Sequence, residues 1–187
     1  ALMRHIVDKG SQLFSYGSLA AYGHLDYMHF WGGRTSVKRS LLLEKGIFDQ
    51  RFKFGAEDIE LGYRLSKEGF KVVYVPEAVS WMQRSLSWQD FLDRTEKQGR
   101  AYAELQFLHP ESDLINRLGI SSAFANRNEL LRRLETTCVQ VADLLEITQQ
   151  LQKLSIPLPE LAAIRLGSLI DAAYWGTLLR SYEEHPK

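Results

Sequence analysis

The stretch FGAEDIELGYRLSKEGFKVVYVP, residues 54–76, decides the fold of the first half of the chain. Its apolar side chains recur every fourth residue, which predicts a helix from about Asp58 to Glu68. A β-branched and aromatic run, FKVVYV, follows Gly69 and ends at Pro76, so we expect a buried strand there. Three carboxylates crowd the start of the helix: Glu57, Asp58 and Glu60.

These acids have two interpretations, and the pattern leaves both open. Carboxylates at a helix N-terminus accept hydrogen bonds from free backbone N–H groups and suit the positive end of the helix dipole, so capping alone accounts for them. The same dipole also keeps a carboxylate ionised. An ionised carboxylate can accept a proton or a hydrogen bond from a substrate hydroxyl, which is a catalytic role.

Upstream of this stretch, FWGGR at residues 30–34 is a second candidate site. The paired glycines Gly32 and Gly33 allow the backbone to approach a ligand closely, and Trp31 offers a flat apolar face for a sugar ring. An ordinary tight turn beside a core tryptophan explains the same residues. Neither this motif nor the acidic one is specific by itself.

The rest of the chain is predicted to be largely helical. A short helix is expected between a cap at Ser36 and a stop at Gly46, and a longer one between Ser87 and Pro110. Beyond residue 110 one helix carries a seam, which is a line of side chains spaced at alternating steps of four and three residues. Prolines separate this helix from a last helix with a wide apolar stripe. The seam comprises Leu134, Cys138, Val141, Leu145 and Thr148.

We expect these last two helices to pack as a hairpin, or against a second copy of the chain. The overall prediction is an α+β region over residues 1–110 followed by an all-α region over residues 111–187. Such a chain is mostly helical.

The charge, cysteine content and apolar runs of the sequence exclude some classes of function. The 187 residues are 45% hydrophobic and carry 23 basic and 23 acidic side chains, so the zero net charge argues against a nucleic-acid partner. A single cysteine, Cys138, indicates a reducing compartment, and no apolar run approaches the roughly 18 residues of a spanning helix. We therefore expect a cytoplasmic protein, or one peripheral to the membrane.

Taken together in order, the motifs resemble a known family. Residues 30–79 contain a Gly-Gly turn, a helix, Gly-x-Phe-Asp, a Phe, Glu-Asp, Glu-Leu-x-x-Arg, a Gly and Pro-x-Ala. This order resembles the C-terminal, acceptor-side half of the catalytic domain of family 2 glycosyltransferases with the GT-A fold. SWQDFLDRTEKQGRAYAEL is similar to the helix that follows this core, so the resemblance covers roughly residues 25–110.

The resemblance implies roles for the acids. Asp58 would act as general base on the acceptor hydroxyl in a single inverting displacement, and Glu57 would help to orient the acceptor or the helix. Glu60 would be structural, with Arg64 pairing to a neighbouring acid. The turn of Gly32 and Gly33 would line the junction of donor sugar and acceptor, beside Trp31.

Three departures from the family pattern affect the prediction. Arg34 stands where an asparagine is usual, which changes the expected acceptor or donor preference, and Met82 lies near the position of a frequent histidine. The five histidines have no ligand spacing, so no metal site is expected in this chain. The Asp-x-Asp motif that binds cation and diphosphate is absent, and Mn²⁺ or Mg²⁺ is expected only in a full-length parent.

The predicted function is therefore part of an inverting glycosyltransferase that uses a nucleotide-sugar donor and a hydroxyl acceptor. Without the donor-binding half, the chain is expected to be inactive alone. The alternative is a non-catalytic helical interaction or dimerisation module that uses the seam beyond residue 110.

Overall fold

The computed structural model describes residues 2–9, 19, 21–81, 83, 85–111 and 113–185. The α-helices are α1 (Leu2–Arg4), α2 (Arg39–Lys45), α3 (Glu57–Ser66), α4 (Trp88–Leu108), α5 (Leu114–Arg117), α6 (Ile120–Ala125), α7 (Arg127–Lys153) and α8 (Glu160–Glu183). A π-helical turn, His5–Lys9, follows α1, and a 3₁₀ turn spans Tyr27–His29. The strands β1 (His24–Leu25) and β2 (Val72–Val73) form a small antiparallel ladder. The prediction of a mostly helical α+β chain is confirmed.

Helix α3 forms where the spacing of four predicts it, although it begins one residue earlier and ends at Ser66. Its apolar face is buried, and Leu61 and Leu65 pack with Phe30 in a small cluster. The chain leaves the helix through Gly69, whose φ of 80° favours glycine. Local periodicity is thus sufficient to place this helix.

The predicted strand is shorter and more exposed than expected. Only Val72 and Val73 pair with β1, in the register His24 to Val73 and Leu25 to Val72. Val73 and Val75 are each 44% exposed, so the expectation of a buried strand is wrong. The physical reason is that Val73 and Val75 share one face of the strand, which the described residues leave partly open, and burial of a strand requires cover on both faces.

Helix α2 stops at Gly46 as predicted, with φ of 100° at that glycine. It does not start at Ser36, however. The N-cap is Lys38, which makes no side-chain capping bond, so the serine cap predicted from the sequence is wrong. Helix α4 does begin at its predicted cap, because Ser87 and Asp90 form a reciprocal capping box.

The C-terminal helices pack as the predicted hairpin. On α7, Leu134, Val141 and Thr148 are buried while Cys138 and Leu145 are half-buried, and this face lies against α8. Burial raises the pKa of the Cys138 thiol. Helix α8 also packs along α4, which explains why its apolar stripe is too wide for one partner.

The main hydrophobic core joins both parts of the chain. Phe91 and Leu105 of α4 share it with Ile120 of α6, Val141 of α7 and Leu178 of α8. The division into residues 1–110 and 111–187 stays a prediction. No helix in the described part of the chain has the length and apolar character needed to cross a membrane.

Candidate active site

The two sequence motifs meet through one hydrogen bond. The backbone N–H of Gly32 donates to Oδ2 of Asp58 over 2.6 Å, although the two residues are 26 positions apart. A Cβ on Gly32 would lie 3.4 Å from the same oxygen, so the turn lies directly against the carboxylate. The glycine turn and the acidic helix start therefore belong to one site.

The backbone before α3 aims the Asp58 side chain. Gly55 and Ala56 both have positive φ, at 81° and 65°, which turns the chain sharply just before the helix. Asp58 then lies in the first helical turn, and its Oδ1 accepts a hydrogen bond from the N–H of Ile59 over 2.8 Å. With one backbone donor on each oxygen, the Asp58 carboxylate is held in a fixed orientation.

Asp58 and Glu57 both line a cavity of about 630 Å³, with Trp31 and Gly32 in the same wall. Oε2 of Glu57 is buried and has no hydrogen-bond partner within the described residues. A buried carboxylate oxygen without a donor is costly, so this atom is suited to accept a hydrogen bond from a bound hydroxyl.

The other two predicted substrate residues lie beside the cavity. Neither Gly33 nor Arg34 is part of its wall. Gly33 has φ of 79° and open space around its Cβ position, which fits a turn residue. The N–H of Arg34 donates to the carbonyl of Trp31 over 3.4 Å and so closes the turn.

Helix α4 contributes wall residues that the sequence interpretation missed. Arg94, Gln98 and Tyr102 follow each other at steps of four on the face toward the cavity. The amide of Gln98 donates to the Tyr102 hydroxyl over 2.5 Å and accepts from the Tyr174 hydroxyl over 3.3 Å. Burial raises the pKa of Tyr102, and the charges of Asp58 and Glu57 act in the same direction. The spacing of four was the available sequence signal for these three residues.

The C-terminal helices supply the rest of the wall. Arg117 and Leu118, from the end of α5, and Trp175 of α8 border the same cavity. Arg117 pairs with Asp26 at the rim, and its guanidinium lies 4.9 Å from the ring centre of Tyr27. The wide apolar stripe of the last helix is a sequence signal for Trp175, whereas no sequence pattern links Arg117 and Leu118 to the glycine turn and the acidic helix start.

Charge at the rim is balanced around Asp26. Burial of this carboxyl would raise its pKa, but the hydrogen bond from the Met28 N–H and the positive charge of Arg117 outweigh burial and lower the pKa. His29 also lies 3.2 Å from the carboxylate. Asp26 therefore serves as an ionised anchor for the rim.

Glu60 faces away from the cavity and holds α3 in place. It is 2% exposed, and its Oε1 accepts from Nε of Arg64 over 2.7 Å and lies 3.1 Å from Nε2 of His109. Arg64 also donates to the carbonyl of Ile47 over 2.6 Å. The expected pairing of Arg64 with an acid is confirmed.

Comparison with known proteins identifies the family. The sequence model of the family described as "Glycosyl transferase family group 2" matches residues 10–175. At the significance required, no curated protein and no solved structure matches the chain. Because the family match extends over most of the sequence, the chain belongs to glycosyl transferase family group 2.

Proposed function

We propose that the cavity is the acceptor side of an inverting glycosyltransferase with a nucleotide-sugar donor, and that residues 1–110 are the acceptor-side half of a GT-A domain. Asp58 accepts the proton of the acceptor hydroxyl while the oxygen of that hydroxyl attacks the anomeric carbon of the donor sugar. The glycosidic bond forms while the bond to the nucleoside diphosphate breaks, and the diphosphate leaves with the electron pair. Such base assistance contributes about 10² to 10⁴ in rate.

The hydrogen bond between Gly32 and Asp58 is the observation that carries this proposal, because it places the predicted base beside the glycine turn in a cavity large enough for a sugar. Each carboxylate oxygen has a second lone pair, so the backbone bonds leave room for an acceptor hydroxyl. In this arrangement Glu57 binds a further hydroxyl through its free oxygen, and Trp31 offers its face to the sugar ring.

The residues that the structure describes do not fit a divalent cation. Across the described positions, no three His, Cys, Asp or Glu side chains come together as ligands, and the sequence has no Asp-x-Asp. The Mn²⁺ or Mg²⁺ of a full-length parent stays a prediction. We expect the 187-residue chain alone to bind nucleotide sugars weakly, with or without manganese. Calorimetric titration measures this, and a micromolar dissociation constant would contradict it.

The test of the base is Asp58→Asn in an active enzyme that contains this chain. The amide keeps the size but cannot take the proton, so turnover should fall by about 10² to 10⁴ while donor affinity and the unfolding midpoint stay close to wild type. Asp143→Asn, at an exposed position on α7, is the matched control. Turnover of Asp58→Asn within a few fold of the control refutes the assignment.

The alternative function, a helical interaction or dimerisation module, is favoured by one observation. Apolar side chains near the tip of the α7–α8 hairpin are exposed, among them Leu154 at 69% and Leu161 at 81%. Exposed apolar patches mark association sites. Light scattering on the wild-type chain and on Leu154→Ser/Leu161→Ser distinguishes the two functions. If the chain associates through the tip of the hairpin, the double variant should lose the association that the wild-type chain shows. The cytoplasmic location also stays a prediction.

A further inference from the structure

A second cavity adjoins the candidate active site. It has a volume of about 530 Å³, and its floor is apolar, with Phe52 and Ala101 each only 8% exposed. Phe54 lines both cavities. Its ring lies 4.7 Å from the guanidinium carbon of Arg94 in the first cavity and 5.8 Å from Nζ of Lys97 in the second. The two cavities therefore adjoin each other at Phe54.

The second cavity is lined by an excess of cations, and we refer to it as the basic groove. Four basic side chains surround it: Arg51, Lys53, Lys97 and Arg100. Its one acidic wall residue, Glu104, lies 3.3 Å from Nε2 of His185. The groove is thus positive although the whole chain has a formal net charge of zero.

One of the four cations has a carboxylate partner within the part of the chain that the structure describes. Arg51 forms a double hydrogen bond with Asp49, which lowers the pKa of Asp49 to about 2. Lys53, Lys97 and Arg100 are exposed and have no acidic partner there. Three charges are therefore available to a ligand.

Cations grouped over an apolar floor attract anions more strongly than the same cations on a flat surface, because low-dielectric walls focus the field. Lysine and arginine N–H groups form strong, charge-assisted bonds with phosphate oxygens. A phosphate group offers several such oxygens, whereas a single carboxylate matches fewer of the three cations.

We propose that the basic groove binds a phosphate group, supplied either by a free phosphorylated compound or by a lipid headgroup. The site uses none of the residues assigned to proton transfer. Because the groove and the cavity of Asp58 share Phe54 in their walls, a bound phosphate compound would be anchored next to the candidate active site.

The test measures binding to the full chain without requiring sugar transfer. Sodium pyrophosphate, titrated at constant ionic strength, probes the free source. Cosedimentation with vesicles of phosphatidylglycerol and phosphatidylcholine, against phosphatidylcholine alone, probes the lipid source. Lys53→Gln/Lys97→Gln/Arg100→Gln removes the available charges, and all three side chains are exposed, so the fold should tolerate the change.

The matched control is Arg39→Gln/Lys153→Gln/Arg165→Gln, which removes the same charge from exposed positions outside the groove. We expect the groove variant to bind at least one probe roughly tenfold more weakly than wild type, with the control unchanged. Weaker binding of pyrophosphate by the groove variant assigns a free phosphorylated compound as the ligand. Weaker binding of the anionic vesicles by the same variant assigns a lipid headgroup. Absence of binding to both probes, or equal weakening in both variants, overturns the proposal. Asp58→Asn should leave binding unchanged, so this result is independent of the proposed catalytic role.

Discussion

The crossing of α4 and α8 at Gly99 gives a direct test of the fold. A Cβ at this position would lie 2.4 Å from the carbonyl oxygen of Leu178 and 3.0 Å from Cβ of Ser181. Ordinary contacts begin near 3.4 Å, so one helix must retreat by about 1 Å to admit a methyl group. The obstacle is backbone, which cannot swing aside as a flexible side chain can.

The expected cost of Gly99→Ala follows from two opposing effects. Overpacking a well-filled core costs about 1–3 kcal/mol, while alanine is favoured over glycine in a helix by about 1 kcal/mol. Leu178 is fully buried, so a shift of α8 also disturbs its core contacts. Because the clash is with backbone, the overpacking cost falls in the upper part of its range, about 2–3 kcal/mol. After the helix-propensity gain of about 1 kcal/mol, we expect the free energy of unfolding to fall by about 1–2 kcal/mol, which lowers the melting temperature by roughly 2–8 °C.

Urea unfolding followed by far-ultraviolet circular dichroism measures this change. Ala142→Gly, at an exposed position in the middle of α7, gives the helix-propensity difference without any packing effect. A Gly99→Ala variant as stable as wild type, or more stable, would show that α4 and α8 do not approach as closely as the structure has them.

Two further variants test the hairpin and the buried ion pair. Val141→Asp should unfold the hairpin, because a carboxylate at a fully buried apolar position loses several kcal/mol of solvation, whereas Val139→Asp on the exposed face of the same helix should leave helicity intact. Equal melting temperatures for Val141→Asp and Val139→Asp would contradict the placement of Val141 on the buried face of α7. Glu60→Gln should lower the free energy of unfolding by about 2 kcal/mol, since it weakens charge-assisted bonds from Arg64 and His109. An unchanged urea midpoint would argue against these bonds.

Features with local causes could be predicted from the sequence. The start of α4 depends on Ser87 and Asp90, which satisfy each other's backbone donors within one turn. The ends of α2 and α3 depend on Gly46 and Gly69, which adopt positive φ at little cost. Ser36 is not the cap of α2, because the helix begins three residues beyond it, at Arg39, with Lys38 at the N-cap position.

Features that depend on distant partners could not be predicted in this way. The exposure of β2 follows from the lack of cover over the face that carries Val73 and Val75, which sequence periodicity does not reveal. The ion pair between Glu60 and His109 spans 49 positions, and Arg117 reaches the cavity from the end of α5. Asp58 and the glycine turn could be predicted as site residues because the order of motifs around them resembles that of family 2 glycosyltransferases. The contact between them is visible only in the structure.

That contact depends on a residue with no reactive group. A Cβ on Gly62 would lie 2.8 Å from the carbonyl oxygen of Tyr27, so the glycine allows α3 to press against the 3₁₀ turn Tyr27–His29. Gly32 follows three residues after that turn and donates its N–H to Asp58, one helical turn before Gly62. In EDIELG, the aspartate faces the cavity, Glu60 fixes the helix to Arg64 and His109, and the glycine sets the distance to the turn. The spacing of this motif is therefore a packing requirement as much as a chemical one, because only close approach at Gly62 brings the Gly32 amide within hydrogen-bond reach of the carboxylate.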